Sequence, residues 1–205
     1  MRESSEVELK YLLESDADLE KLAAGLPGFE SELKQQNIYL DQNGMLREQG
    51  VLLRIRLENG TGEVTIKRSG GISDGVSMAL ESSEELTGTS LQKIEEGDFM
   101  GALANLECLQ KLQLPGRVRP DQLREWGRIR NRRRRFRLAG DWLVELDRAE
   151  FPDGSIRREV ELESADPEGA RQVMEPILRN LGLRWVVAEE SKSCQLFRIL
   201  ENSSD

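Results

Sequence analysis

The residues of this chain best suited to chemistry are carboxylates and cations that recur at every second position. Near the start, Glu6, Glu8 and Lys10 alternate with Val7, Leu9 and Tyr11. Arg54 and Arg56 alternate with Leu53, Ile55 and Leu57, and Thr65 and Lys67 with Val64 and Ile66. A strongly basic run covers 128–137. After it, Glu145 and Asp147 alternate with Val144 and Leu146, and Glu159, Glu161 and Glu163 with Val160 and Leu162. Period two puts alternate residues on opposite faces of a strand. For one strand alone, a sheet with one face in water explains the pattern. Here, however, Glu clusters and Arg/Lys clusters occupy separate segments. That sorting suits faces that look into a shared cavity, where cationic strands hold an anion and acidic strands hold a metal ion bridging to it. Guanidinium forks match phosphate oxygens, and an all-oxygen donor set selects a hard cation such as Mg²⁺ or Mn²⁺. A triphosphate fits that description.

The composition narrows the alternatives. Histidine is absent, which removes imidazole bases, His-based triads and His-ligated zinc. Chemistry is left to carboxylates, lysine, arginine, hydroxyls or bound metal. A formal net charge of -9 argues against a general nucleic-acid or anionic-membrane binder. No apolar run approaches the roughly eighteen residues of a membrane span. Cys108 and Cys194 are the only cysteines, and the first residues are charged, so neither a disulfide framework nor a signal peptide is indicated. A soluble, cytoplasmic protein is expected.

These segments need elements to position them. The alternating stretches read as strands, and Asp153-Gly154 marks a turn between two of them. Asp16 is expected to cap a helix ended by Gly25, Pro27 and Gly28. A second helix is expected somewhere within 90–112. A third follows Asp166-Pro167 and carries Val173, Ile177 and Leu181 on one face, with a kink at Pro176 and a stop at Gly182. A short final helix is expected over 189–200, and 69–75 reads as a mobile loop. The expected organisation is one domain over 1–205 with a helical insertion around 90–125.

In this order the segments resemble the CYTH superfamily, the triphosphate tunnel metalloenzymes. Glu6-Val7-Glu8-Leu9-Lys10 matches the family's ExExK signature, Arg54-Ile55-Arg56 its RxR strand, and Thr65-Ile66-Lys67 its TxK strand. Arg132 and Arg134 fit its later basic strand, Glu145-Leu146-Asp147 an acidic strand, Glu159-Val160-Glu161 its ExE strand, and Lys192 its late Ser-Lys element. The resemblance implies an α+β fold: a closed antiparallel eight-stranded β-barrel, or tunnel, with peripheral helices. It implies that Lys10, Arg54, Arg56, Lys67, Arg132, Arg134 and Lys192 bind the triphosphate. Glu6, Glu8, Glu159 and Glu161 are the implied ligands of Mg²⁺ or Mn²⁺, with Asp147 and Glu145 in second rank; Glu6, Glu8, Lys10, Glu159 and Glu161 are the implied catalytic set. The remaining arginines, Arg133, Arg135 and Arg137, are expected on the other face of their strand.

One stretch departs from the pattern: Ser77-Met78-Ala79-Leu80-Glu81-Ser82-Ser83 keeps one carboxylate where relatives carry an arginine and a carboxylate pair. Hydrolysis of inorganic tripolyphosphate is the first expectation. Thiamine triphosphatase, a class IV type adenylyl cyclase, and a non-catalytic polyphosphate- or nucleotide-binding module are the alternatives. Water activation by Glu6 or Glu159, by a metal, or by a desolvated lysine all fit. Apolar positions on the outer barrel face serve either a homodimer or the chain's own helices.

Overall fold

A computed structural model describes all residues except 105, 108, 110–117 and 203–205. The alternating segments are strands. In chain order they are β1 (Arg2–Leu13), β2 (Phe29–Asp41), β3 (Val51–Glu58), β4 (Thr61–Ser73), β5 (Val76–Glu85), β6 (Arg124–Arg137), β7 (Leu143–Glu150), β8 (Ile156–Glu163) and β9 (Trp185–Val187). They hydrogen-bond in the order β5-β4-β3-β2-β6-β7-β8-β1-β9, and a further β5–β1 pairing closes the first eight into an antiparallel barrel. The described helices are α1 (Asp16–Gly25), α2 (Gly88–Glu95), α3 (Phe99–Leu103), α4 (Pro167–Asn180) and α5 (Lys192–Asn202). The chain splits into two compact units, the first of Met1–Ser5, Gln35–Gly70 and Ala79–Arg128, the second of Glu6–Lys34, Gly71–Met78 and Ile129–Asp205.

In the first unit, β3 and β4 turn through Asn59 and Gly60, both at positive φ, which suits the right-handed twist of a tight hairpin. Their register pairs Arg54 with Thr65 and Arg56 with Glu63. Leu53, Ile55, Val64 and Ile66 therefore share the other face, where they pack with Leu46, Ile94 of α2 and Leu103 of α3. The helix expected within 90–112 is interrupted: α2 ends before Gly97, which takes φ 81°, Asp98 caps α3 through the Gly101 amide, and Glu107 and Leu109 are helical again. The rest of that expectation falls largely outside the described residues.

In the second unit, registers run unbroken across four strands. Arg135 pairs with Glu145, Glu145 with Glu161, and Glu161 with Lys10. One step along, Arg134 pairs with Leu146, Leu146 with Val160, and Val160 with Tyr11. Charged and apolar rows thus fall on opposite faces. Tyr11, Phe136, Leu146 and Val160 pack with Leu19 and Leu22 of α1 and with Ala170, Met174 and Leu178 of α4.

Several boundaries differ from expectation. Ser15, not Asp16, caps α1, its side chain accepting from the Asp18 amide. The buried line of α4 is Ala170, Met174 and Leu178, while Val173, Ile177 and Leu181 flank it partly buried, and the helix continues through Pro176. The segment read as a loop at 69–75 is mostly strand, with the turn confined to Asp74 and Gly75.

Candidate functional site

The second unit carries a buried network of ion pairs. Lys10 Nζ lies 2.6 Å from Glu8 Oε2 and 2.5 Å from Glu161 Oε1. Lys192 Nζ lies 2.8 Å from Asp147 Oδ2, 2.9 Å from Glu159 Oε2 and 2.8 Å from Glu161 Oε1. Arg133 donates from Nε and Nη2 to the two oxygens of Asp147, at 2.7 and 2.6 Å, and from Nη2 to Glu161 Oε2 at 2.5 Å. It also meets Glu145, which takes Arg135 Nε at 2.8 Å. Arg157 Nε donates to Glu159 Oε2 at 2.8 Å. Among the described residues, five carboxylates (Glu8, Glu145, Asp147, Glu159, Glu161) and five cations (Lys10, Arg133, Arg135, Arg157, Lys192) are joined in this way.

Local structure explains how the groups converge. Lys10, Glu145 and Glu161 share one cross-strand row, and Arg133, Asp147 and Glu159 share a neighbouring row on the same face. Lys192 arrives from outside the sheet. Ser191 accepts from the Cys194 amide and so caps α5, placing Lys192 at its first position. Arg157 fastens that cap by donating to the Glu190 carbonyl at 2.7 Å and to Gln195 Oε1 at 3.1 Å. The backbone of Lys10 is held on both sides, its N–H donating to the Gly75 carbonyl and its C=O accepting from Ala188.

The electrostatics follow from burial and proximity. Burial opposes ionisation of Asp147, but Arg133 and Lys192 outweigh it and hold the carboxyl below the usual range. Burial is likewise outweighed at Glu161 by Lys10, Lys192 and Arg133, and at Lys10 by Glu161, Glu8 and Glu159, which push the ammonium up. Asp147 and Glu161 on one side, and Lys10 on the other, therefore stay charged at neutral pH.

The first unit carries a different set. Arg54 Nη2 donates to Thr65 Oγ1 at 3.1 Å, and Arg56 Nε to Asn37 Oδ1 at 2.8 Å. Glu81 stands 3.7 Å from Arg54 Nη2 and 3.6 Å from Lys67 Nζ, distances too long for good hydrogen bonds. The buried Nε of Arg54 has no hydrogen-bond acceptor among the described residues. This face has the donors for an oxyanion.

Against the sequence reading, Glu8, Lys10, Glu159, Glu161, Asp147, Glu145 and Lys192 meet in one network, and Arg54, Arg56 and Lys67 share one face in the first unit. Glu6 is half-buried, two residues before Glu8 on the same face of β1. The basic strand needs correction. Arg132 and Arg134 lie on the opposite face of β6 from the network and pair with Glu20 of α1, at 2.6 and 2.7 Å. Arg133 and Arg135, expected outside, are the ones that join the carboxylates. Phe136 carried the missing signal: a buried aromatic marks the face that packs on helices, and Arg134 and Arg132 share its parity. Arg157 was also overlooked, although it stands two residues before Glu159 and therefore on the same face.

The donors present bear directly on metal binding. The carboxylate oxygens suit a hard divalent cation, and the buried Glu159 Oε1 has no hydrogen-bond partner among the described residues. Yet among the described residues no group of three or more acidic or cysteine side chains stands ready to hold a metal ion. The two lysine ammonium groups stand between the carboxylates.

The chain belongs to the CYTH domain family, whose sequence model matches residues 4–184. Solved structures agree. HpAC1 from Hippeastrum, a candidate adenylyl cyclase that reveals a dominant triphosphatase activity, is 25% identical with a TM-score of 0.85, over 94% of this chain and 95% of that one. A candidate adenylate cyclase from Bacillus halodurans is 21% identical with a TM-score of 0.64, over 94% and 98% of the two chains. The PH1819 protein from Pyrococcus horikoshii OT3 is 22% identical with a TM-score of 0.62, over 96% and 99%. No curated protein matches the chain in sequence. Among the described residues, no helix is long and apolar enough to cross a membrane.

Proposed function

We propose that this protein is a divalent-cation-dependent phosphohydrolase acting on a small triphosphate, with inorganic tripolyphosphate as the first substrate. The observation that carries the reading is the buried network in which acidic residues of β1, β7 and β8 gather around Lys10 and Lys192. Membership of the CYTH family and the likeness to HpAC1 support it.

Glu8, Glu159, Glu161 and Asp147 are the proposed holders of Mg²⁺ or Mn²⁺. A bound cation of this kind supplies Lewis acidity toward phosphoryl oxygens and lowers the pKa of water. Arg54, Arg56 and Lys67 are proposed to hold phosphate oxygens through charge-assisted hydrogen bonds, the unfilled Nε of Arg54 being one available donor. Lys10 and Lys192 carry positive charge toward the oxygens on which negative charge builds in the transition state. Arg133 and Arg157 act through others, by fixing Asp147 and Glu161 and by anchoring the start of α5.

The test is phosphate release from tripolyphosphate, thiamine triphosphate and ATP, with and without Mg²⁺ or Mn²⁺, beside an assay for cyclic AMP. Cation-dependent release, fastest from tripolyphosphate, is expected. Cyclic AMP formation from ATP without phosphate release defeats the hydrolase reading in favour of a cyclase. Tight polyphosphate binding with no turnover under either metal defeats it in favour of a binding module.

A further inference from the structure

The two lysines of the network occupy positions that a metal ion would also choose. Lys192 Nζ stands within hydrogen-bond distance of three carboxylate oxygens from two neighbouring strands, Asp147 Oδ2 at 2.8 Å, Glu159 Oε2 at 2.9 Å and Glu161 Oε1 at 2.8 Å. Lys10 Nζ stands between Glu8 and Glu161, and Glu161 Oε1 serves both ammonium groups, as a bridging carboxylate serves two cations. We infer that Lys192, with Lys10 beside it, is a tethered counter-cation that fills the metal-binding position and must withdraw before a divalent cation enters. The inference rests on the reading of these carboxylates as metal ligands.

Three observations carry it. Among the described residues five cations already sit at hydrogen-bond or ion-pair distance from these carboxylates, so a divalent ion added without displacement would meet positive charge in place. An ammonium holds carboxylate oxygens at hydrogen-bond length, wider than the roughly 2.1 Å of a Mg–O contact, which accounts for acidic side chains that surround a cation without forming a metal cage. Lys192 is also placed to move, because it sits at the first position of α5 on a flexible four-carbon stem, while Ser191 and Arg157 fix the backbone behind it. On the proposed function, a phosphate oxygen of the substrate is a chemically suitable partner for the withdrawn ammonium. Metal and triphosphate therefore favour each other's binding, each relieving the cost of admitting the other.

The experiment measures Mn²⁺ binding to the full chain without any triphosphate, by isothermal titration calorimetry and by the electron paramagnetic resonance signal of free Mn²⁺. Lys192→Met is expected to bind Mn²⁺ at least about tenfold more tightly than the wild type, because a positive charge beside the ion is gone. Lys192→Arg keeps the charge and is expected to stay close to the wild type. Equal or weaker Mn²⁺ binding by folded Lys192→Met, or no binding by any variant, overturns the inference. Should Lys192→Met fail to fold by circular dichroism, the ¹⁵N resonance of the wild-type Lys192 ammonium decides. A shift on Mg²⁺ addition supports displacement, and an unmoved resonance at saturating Mg²⁺ refutes it. Phosphate release from tripolyphosphate by the wild type is scored separately, so failure here stays distinct from failure of the hydrolase reading.

Discussion

The two charged faces use similar residue types under different conditions. In the second unit Asp147, Glu159 and Glu161 are almost fully buried and each meets its cations at hydrogen-bond distance. In the first unit Arg54, Lys67 and Glu81 remain partly accessible, their ion pairs stretch to 3.6 and 3.7 Å, and one guanidinium N–H is left unfilled. A saturated buried network fixes geometry, and losing one member strands the others. A partly accessible cationic face with an unfilled Arg54 N–H is suited to accept an anion at little cost to the fold. The first arrangement suits orientation of a reaction, the second suits capture.

Substitutions should separate these roles. The largest effect is expected from Glu161→Gln, which removes a partner of Lys10, Lys192 and Arg133 together. Metal-dependent phosphate release should fall by at least about a hundredfold in protein that stays folded by circular dichroism. Near-wild-type release would take Glu161 out of the chemistry. Arg133→Gln should lose about 3–5 kcal/mol in urea unfolding, because Asp147 and Glu161 stay buried without their guanidinium. Arg54→Gln should reverse that balance: tripolyphosphate binding by calorimetry weakens by about tenfold to a hundredfold, as for a lost charge-assisted hydrogen bond, while the urea midpoint barely moves. An equal loss of stability would erase the contrast between the faces.

Acidity offers a finer test. Asp147 and Glu161 titrate below their ordinary 3.8 and 4.5 in the folded state, so their contribution is complete above those values and lost as pH falls through the depressed ones. Lys10 titrates above its ordinary 10.5, so its contribution is complete below that value and lost as pH rises through the raised one. Unfolding free energy should therefore be flat across neutral pH and fall at both extremes, and Glu161→Gln should blunt the acid limb. The smallest effect is expected from Arg132→Gln, whose exposed pair with Glu20 is worth no more than about 1 kcal/mol by urea unfolding.

Much of this was legible in the sequence because most strands alternate between unlike residues. Leu53, Ile55, Val64 and Ile66 could only be the core face, which left Arg54, Arg56, Thr65 and Lys67 to the other. The basic strand failed as a guide for the same physical reason. Both parities of β6 carry arginine over 132–135, so alternation carries no information there, and only Phe136 and the partners on β7 fix the phase. β2 went unrecognised because its first half, from Phe29 to Gln36, mixes polar and charged residues on both faces and shows no period. Lys192 was visible as a motif, but its placement depends on Arg157 and on the carboxylates of β7 and β8, contacts across long separations that spacing does not encode.

The turn at Asp74 and Gly75 has one more consequence. Gly75 takes φ 75°, and a Cβ there would come within 3.0 Å of both the Lys10 carbonyl oxygen and the Val187 side chain. An alanine therefore has nowhere to go except by pushing the β1 backbone sideways at the residue whose ammonium serves Glu8 and Glu161. In a survey of tolerated replacements Gly75 should behave like the deepest interior, while exposed Asp74 beside it, at φ 48° and paired with Arg171, should admit little besides asparagine or glycine.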